Sequence, residues 1–189
     1  FEHPIKWINL SYGGKLSFIK TQNNVDYFDI TTGIPIFDPT QSNEFNYKEN
    51  IQAIYLNGTK KLNVNWETQL GIRLENTQTE GFSKTLNQKN TNNYAKLFPT
   101  FYLTYTPNET NSFSINYNKR INRPSYNRLN PFRWYNNPFS YSEGNPFLQP
   151  SFSNNIELNY TLNDNWSNSV YYSHTDNGFE QITIVDNTD

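Results

Sequence analysis

The chain has 189 residues, a net charge of −2 at neutral pH and a mean hydropathy of −0.85, with neither cysteine nor methionine. Near-neutrality excludes the basic stripe of a nucleic-acid binder, absent cysteine excludes disulfide scaffolds and thiolate metal sites, and no apolar run reaches the roughly 18 residues of a membrane helix. Hydrophobic residues are only 34%, yet aromatics reach 17%, with 32 Asn beside them, and a chain so rich in aromatics does not have the composition of a disordered one.

Taken in order, the segments alternate with period two, as strands do. Residues 10–18 place Leu10, Tyr12, Gly14, Leu16 and Phe18 on one face. Residues 45–56 set Phe45, Tyr47, Glu49, Ile51, Ala53 and Tyr55 against Asn46, Lys48, Asn50 and Gln52. Across 62–75, Leu62, Val64, Trp66, Thr68, Leu70, Ile72 and Leu74 oppose Asn63, Asn65, Glu67, Gln69, Gly71, Arg73 and Glu75. Leu97, Pro99, Phe101, Leu103 and Tyr105 follow, with Phe98 and Tyr102 as exceptions on the other side. Phe113, Ile115 and Tyr117 face Ser112, Ser114, Asn116 and Asn118. Phe152, Ile156, Leu158, Tyr160 and Leu162 face Ser153, Asn155, Glu157, Asn159 and Thr161. Trp166, Val170 and Tyr172 form the next apolar face, and a weaker strand pattern covers 179–185. No stretch has a 3.6-residue period, so almost no helix is expected.

These strands are about twice the usual soluble length, long enough to cross a bilayer when tilted. Their polar face is too polar for a sandwich core and suits a wet barrel interior. Short connections at 57–60, 106–110 and 163–165 alternate with long ones at about 20–44, 76–94 and 122–151. Outer-membrane barrels sort their loops this way, with short turns on the periplasmic side. Tyr55, Trp66, Tyr105, Phe113, Tyr160 and Trp166 lie beside the short turns on the apolar face, where an interfacial aromatic girdle belongs. The expected fold is therefore all-β: an antiparallel, up-and-down transmembrane β-barrel segment of about seven to eight long strands.

The motifs Tyr94-Ala95-Lys96-Leu97-Phe98-Pro99-Thr100, Ile115 through Tyr126, Leu129-Asn130-Pro131-Phe132 and Gly144-Asn145-Pro146-Phe147-Leu148-Gln149-Pro150 occur in order. Upstream, Tyr47 to Leu56 and Gly71 to Thr77 fit the same set. The ordered set resembles the Bacteroidetes outer-membrane β-barrel family, the barrel of TonB-dependent-receptor-like proteins. That resemblance implies uptake across a bacterial outer membrane, a plug preceding the barrel, and a TonB-type energy-coupling protein acting through that plug. It also leaves room for a surface lipoprotein partner. Residues 1–189 are then an internal arc of one barrel domain whose remaining strands and plug lie elsewhere, as the absence of Met even at position 1 also suggests. Large plugged transporters need about 22 strands. Outer-membrane lipid is the other expected partner.

The connection 122–151 is rich in arginine, aromatics and proline. Arg128, Arg133, Trp134, Tyr135 and Tyr141 are candidate ligand contacts, since they offer rigid area and planar donors. Arg123, Pro124, Asn130, Pro131, Gly144, Asn145 and Pro146 read as a structural loop motif. Glu67, Arg73, Glu75, Arg120 and Glu157 lie on polar faces and are expected to point into the lumen or at a plug. Glu49 and Lys119 break the apolar face; Glu49 is expected above the hydrocarbon and Lys119 close to an interface. The only histidines, His3 and His174, stand at opposite ends of the chain. No hydrolase triad order, HExxH, Walker loop or dinucleotide fingerprint is present, so a non-catalytic role without a cofactor is expected. Two other readings stay open: a soluble or surface all-β module that binds glycan, and a complete eight-stranded barrel.

Overall fold

Period-two alternation commits each segment to a pleated strand, and backbone pairing then joins consecutive strands by the nearest turn. The computed structural model describes residues 1–137 and 139–185. Eight strands form one antiparallel sheet: β1 (Glu2–Ile5), β2 (Ile8–Asp29), β3 (Ile36–Lys61), β4 (Trp66–Ser83), β5 (Gln88–Asn108), β6 (Asn111–Asn122), β9 (Ser151–Leu162) and β10 (Trp166–Asp176). Each pairs with its neighbour in that order, and among the described residues β1 and β10 are open edges. Between β6 and β9 the chain makes a one-turn helix, α1 (Tyr126–Leu129), and a small hairpin of β7 (Trp134–Asn137) and β8 (Ser140–Ser142). The all-β, up-and-down architecture with almost no helix is as expected.

Several boundaries differ from expectation. The stretches 20–44 and 76–94 are largely strand, and the tips of those hairpins are confined to 30–35 and 84–87. Their Asn, Gln and Thr side chains hide the alternation, but ladder pairing needs only the backbone. The short connection expected at 57–60 lies instead at 62–65, where the Asn63 side chain accepts from the backbone N–H groups of Asn65 and Trp66. Asn57-Gly58 is inside β3, and Gly58 leaves room for Ile8, whose Cδ1 would stand 2.8 Å from an added Cβ. Turn 163–165 is tight, with Asn163 and Asp164 at φ 52° and 56°. The weak pattern at 179–185 forms no strand.

The sheet is taller on one side. β2 to β5 run 18 to 26 residues, whereas β6, β9 and β10 run 11 or 12. Pairing of β5 with β6 stops at Thr100↔Asn118, next to Pro99, whose missing N–H cannot extend a ladder. From the top of the short side the 123–150 connection folds back onto one face of the tall side. That face is the inner face below, and its opposite is the outer face.

Register assigns each residue to a face. Leu10, Tyr12 and Leu16 on β2, Ile54 and Leu56 on β3, Leu70, Ile72 and Leu74 on β4, and Leu97 and Phe101 on β5 share the outer face. Ile115, Leu158 and Val170 continue it on the short side. Most of these side chains are exposed, Ile54 at 63% and Val170 at 67%. At the turn end, Trp66, Tyr105, Phe113, Tyr160 and Trp166 make an unbroken aromatic row, with successive ring centroids 4.3, 6.2, 4.7 and 6.0 Å apart. Tyr55 does not join it. It lies on the inner face across from Gly13, where an added Cβ would stand 2.6 Å from the Tyr55 hydroxyl.

The set Phe45, Tyr47, Glu49, Ile51 and Ala53 also belongs to the inner face, not to the exposed apolar one. Its apolar character comes from the loop packed upon it: Leu129, Tyr126 and Leu148 cover Phe45 and Tyr47. Glu49 is therefore a buried inner-face carboxylate rather than a break in the outer face. Lys119 keeps outward parity, opposite Asn154 near the top of β6.

Candidate functional site: the loop folded onto the inner face

The site begins with a glycine. Gly144 donates its backbone N–H to the Asn130 carbonyl at 2.9 Å, and Asn145 donates to the Arg128 carbonyl at 2.7 Å. A Cβ on Gly144 would lie 2.5 and 2.6 Å from those two carbonyl oxygens, so only glycine lets the limbs of the connection close. Asn130 also anchors the assembly outward, since its Oδ1 accepts from Phe132 N–H and from the Asn43 side-chain amide of β3. The Asn90 side chain of β5 donates to the Pro146 carbonyl. The motif residues thus brace the loop against itself and against the tall side.

Beneath the loop lies a charged cluster. Arg123, the first residue after β6, pairs with Glu75 of β4 and donates to the Thr77 hydroxyl at 3.1 Å. Arg73 Nε lies 3.5 Å from the other Glu75 oxygen, and its guanidinium stacks 4.7 Å from the Phe98 ring. Tyr47 donates to Glu49 at 3.2 Å. Two guanidinium and two carboxylate groups leave this cluster formally neutral, with the carboxylates buried and Arg73 half-exposed. A cavity of about 20 Å³ between Tyr47, Glu49, Tyr94, Arg123 and Leu129 has room for about one water, and the Nε of Arg123 has no protein partner.

The predicted lumen-facing residues separate. Arg73 and Glu75 meet in the cluster. Glu157 accepts from the Asn116 amide at 3.2 Å lower on the inner face. Glu67 sits exposed near the turn end, and Arg120 is exposed opposite Ser153. Around Glu157 the inner face of β6, β9 and β10 is an amide and hydroxyl ladder. Asn155 donates to Asn118 at 3.0 Å, Tyr171 to Asn155 at 2.6 Å, and Ser169 to Asn159 at 2.5 Å.

The predicted ligand contacts also separate. Arg133, Trp134, Tyr135 and Tyr141 gather on or beside the β7–β8 hairpin. The Arg133 guanidinium lies 4.5 Å over the Tyr141 ring and pairs with Glu143 at 2.9 Å, and Tyr135 packs on Tyr141 at 5.4 Å. The Glu143 carboxylate raises the Arg133 pKa above its ordinary value. Trp134 is 55% exposed. Arg128 stands apart, stacked 5.3 Å over Phe179. Sequence reasoning missed Tyr47, Thr77 and Tyr94 as members of the cluster. Glu49 was the available signal: a carboxylate amid an apolar row marks an interior that holds counter-charges.

A sheet with an apolar outer face, an aromatic row at the turn end and a polar inner face defines a transmembrane-β-barrel type of protein. The sequence matches the outer membrane protein beta-barrel family over residues 1–189, and the chain belongs to that family. No curated protein matches the sequence.

Proposed function

We propose that this chain is part of the wall of a TonB-dependent-type uptake barrel in a bacterial outer membrane. The observation that carries the membrane placement is the outer face. From Trp66 to Asn76 the apolar band spans about 33 Å along the strand, or about 25 Å of height at a tilt near 40°, matching the band of outer-membrane barrels. It is closed below by the aromatic row and above by Gln52, Asn76 and Asn50.

In this reading residues 1–189 are an internal arc, and the open β1 and β10 edges pair with further strands. The inner ladder faces the lumen or a plug, and the loop narrows the mouth. Arg133, Trp134, Tyr135 and Tyr141 meet the incoming ligand; Arg128, stacked on Phe179, lies behind them. TonB coupling and a Bacteroidetes origin rest on the ordered motifs between Tyr47 and Pro150. The role is transport rather than catalysis. Fractionation of cells producing the full-length protein, followed by uptake assays with and without the energy-coupling partner, tests this. Recovery in the soluble fraction, or uptake indifferent to that partner, refutes the respective part.

A second reading, a complete eight-stranded barrel, is favoured by the strand count of the sheet. It requires β1 to pair with β10. A cysteine at His3 that cross-links in the folded protein to one of a series placed along the turn-end half of β10, at Asn168, Val170 or Tyr172, establishes it and removes the arc.

A further inference from the structure

On β2 to β5, above Lys60 beside the turn end, the outer face carries no charge up to Asn50, Gln78 and Asn93. Immediately above, the character changes. Lys20 on β2 stands directly opposite Lys48 on β3, and Lys48 directly opposite Glu80 on β4. Glu80 bridges Lys48 at 3.3 Å and Lys89 of β5 at 2.9 Å. Both lysines hold the Glu80 carboxyl below its ordinary pKa. Three lysines around one carboxylate leave a net charge of about +2 on one patch. Higher still, Lys84 and Glu44 pair at 2.7 Å and cancel.

The lysine pair Lys20↔Lys48 is a local cost, because like charges directly opposite on a sheet repel. Glu80 offsets only part of it. Height then identifies what offsets the rest. Glu80 lies about four residues above Asn76, roughly 13 Å along the strand and about 10 Å vertically. Lysine stems can fold back toward the membrane by several ångström. The ammonium groups therefore reach the layer where headgroups stand, which begins at the hydrocarbon edge and extends outward by several ångström. Free solvent has no such fixed array of anions at that height.

We infer that Lys20, Lys48 and Lys89 form a docking patch for the phosphate groups of an anionic outer-leaflet lipid. This rests on the membrane placement proposed above. Glu80 spaces the lysines and sets their net charge, and the neighbouring outward side chains Leu16 and Phe18 lie against the acyl chains of the same lipid. An anionic membrane surface attracts each nearby lysine by about 1 kcal/mol, or about fivefold in binding.

The test uses the full-length protein inserted in phosphatidylcholine vesicles with and without diphosphorylated lipid A, measuring lipid A retained through purification. Insertion into the neutral vesicles is scored first and reports on the membrane placement alone. The K20Q/K48Q/K89Q variant is expected to insert normally and retain about 100-fold less lipid A, and E80Q to retain more than the wild type. Retention is also expected to fall with rising salt. Equal retention by the triple variant, or equal displacement by the same concentration of inorganic phosphate, overturns the proposal. Failure of every variant and the wild type to insert overturns the placement on which it stands.

Discussion

Replacing Glu75 by Ala removes the carboxylate that ties the loop to the tall side of the sheet. Glu75 is 7% exposed and accepts from Arg123 and Thr77, with Arg73 at 3.5 Å. Its loss leaves two guanidinium groups facing one remaining carboxylate, Glu49. Breaking a buried pair by removing one partner costs about 3–5 kcal/mol. The Arg123 side chain is 22% exposed, so the lower end, about 3 kcal/mol, applies. Opening the loop uncovers Leu129 together with Phe45 and Tyr47 beneath it, and in the wild type it must also break the Glu75 anchor. Removing the anchor lowers that opening cost by about 3 kcal/mol, so more frequent opening of the loop is the expected response, with the strands intact.

Amide hydrogen exchange reads this directly. Protection of the Asn130, Gly144 and Asn145 N–H groups, all hydrogen-bonded within the loop, is expected to fall about 100-fold. Leu158 in the sheet is the internal control and is expected to keep its protection. The double variant Glu75→Ala/Arg123→Ala should recover much of the loss, because it leaves one fewer buried charge unpaired. Unchanged loop protection in Glu75→Ala, or a uniform loss that includes Leu158, would falsify the assignment of Glu75 as the anchor.

Other predictions concern separate parts of the molecule. Gly144→Ala forces its Cβ into the Asn130 and Arg128 carbonyls and should destabilise the loop by about 1–3 kcal/mol, visible as tryptic cleavage after Arg128 or Arg133. Leu97→Arg places a charge in the outer apolar band and should cost about 2–4 kcal/mol in bilayer unfolding titrations. The neighbouring inner-face change Thr100→Lys should cost much less. Trp134→Ala combined with Tyr141→Ala alters only exposed side chains and should change stability by about 0.5 kcal/mol or less, yet it should abolish ligand capture; undiminished uptake removes the hairpin from the binding role.

The sequence made one kind of information plain and concealed another. Alternation identified the strands and, in 97–105, 113–117 and 156–162, the outer face itself, because there one side is apolar and the other, Phe98, Tyr102 and Glu157 apart, is Ser, Thr or Asn. It misassigned Phe45 to Tyr55 because apolarity signals contact without naming what is touched. Phe45 and Tyr47 are buried by a loop about eighty residues away, and no local pattern carries that distance. The true outer residues of β3, Ile54 and Leu56, flank Tyr55, so the run is apolar on both faces and its parity is undecided. Only pairing settles it: Ile54 with Leu74, and Leu74 with Leu97. The cluster was half legible for the same reason. Arg73 and Glu75 belong to one strand, but their partner Arg123 arrives through the fold of the connection.

That parity can be tested at two adjacent residues. The chain has no native cysteine, so Ile54→Cys and Tyr55→Cys each give a unique attachment point for a fluorophore. Both positions tolerate a label, being 63% and 38% exposed. They lie at nearly the same height but on opposite faces of β3, since successive side chains of a strand alternate. In vesicles with brominated acyl chains, a probe at position 54 touches the quencher and is expected to lose most of its emission. A probe at 55 looks toward Gly13 and the interior, and should instead respond to a water-soluble quencher. Depth cannot produce this contrast, because one residue shifts height by only about 3 Å. Equal acyl-chain quenching at both positions would mean that Tyr55 belongs to the aromatic row after all, and that the register of β3 against β2 and β4 is wrong.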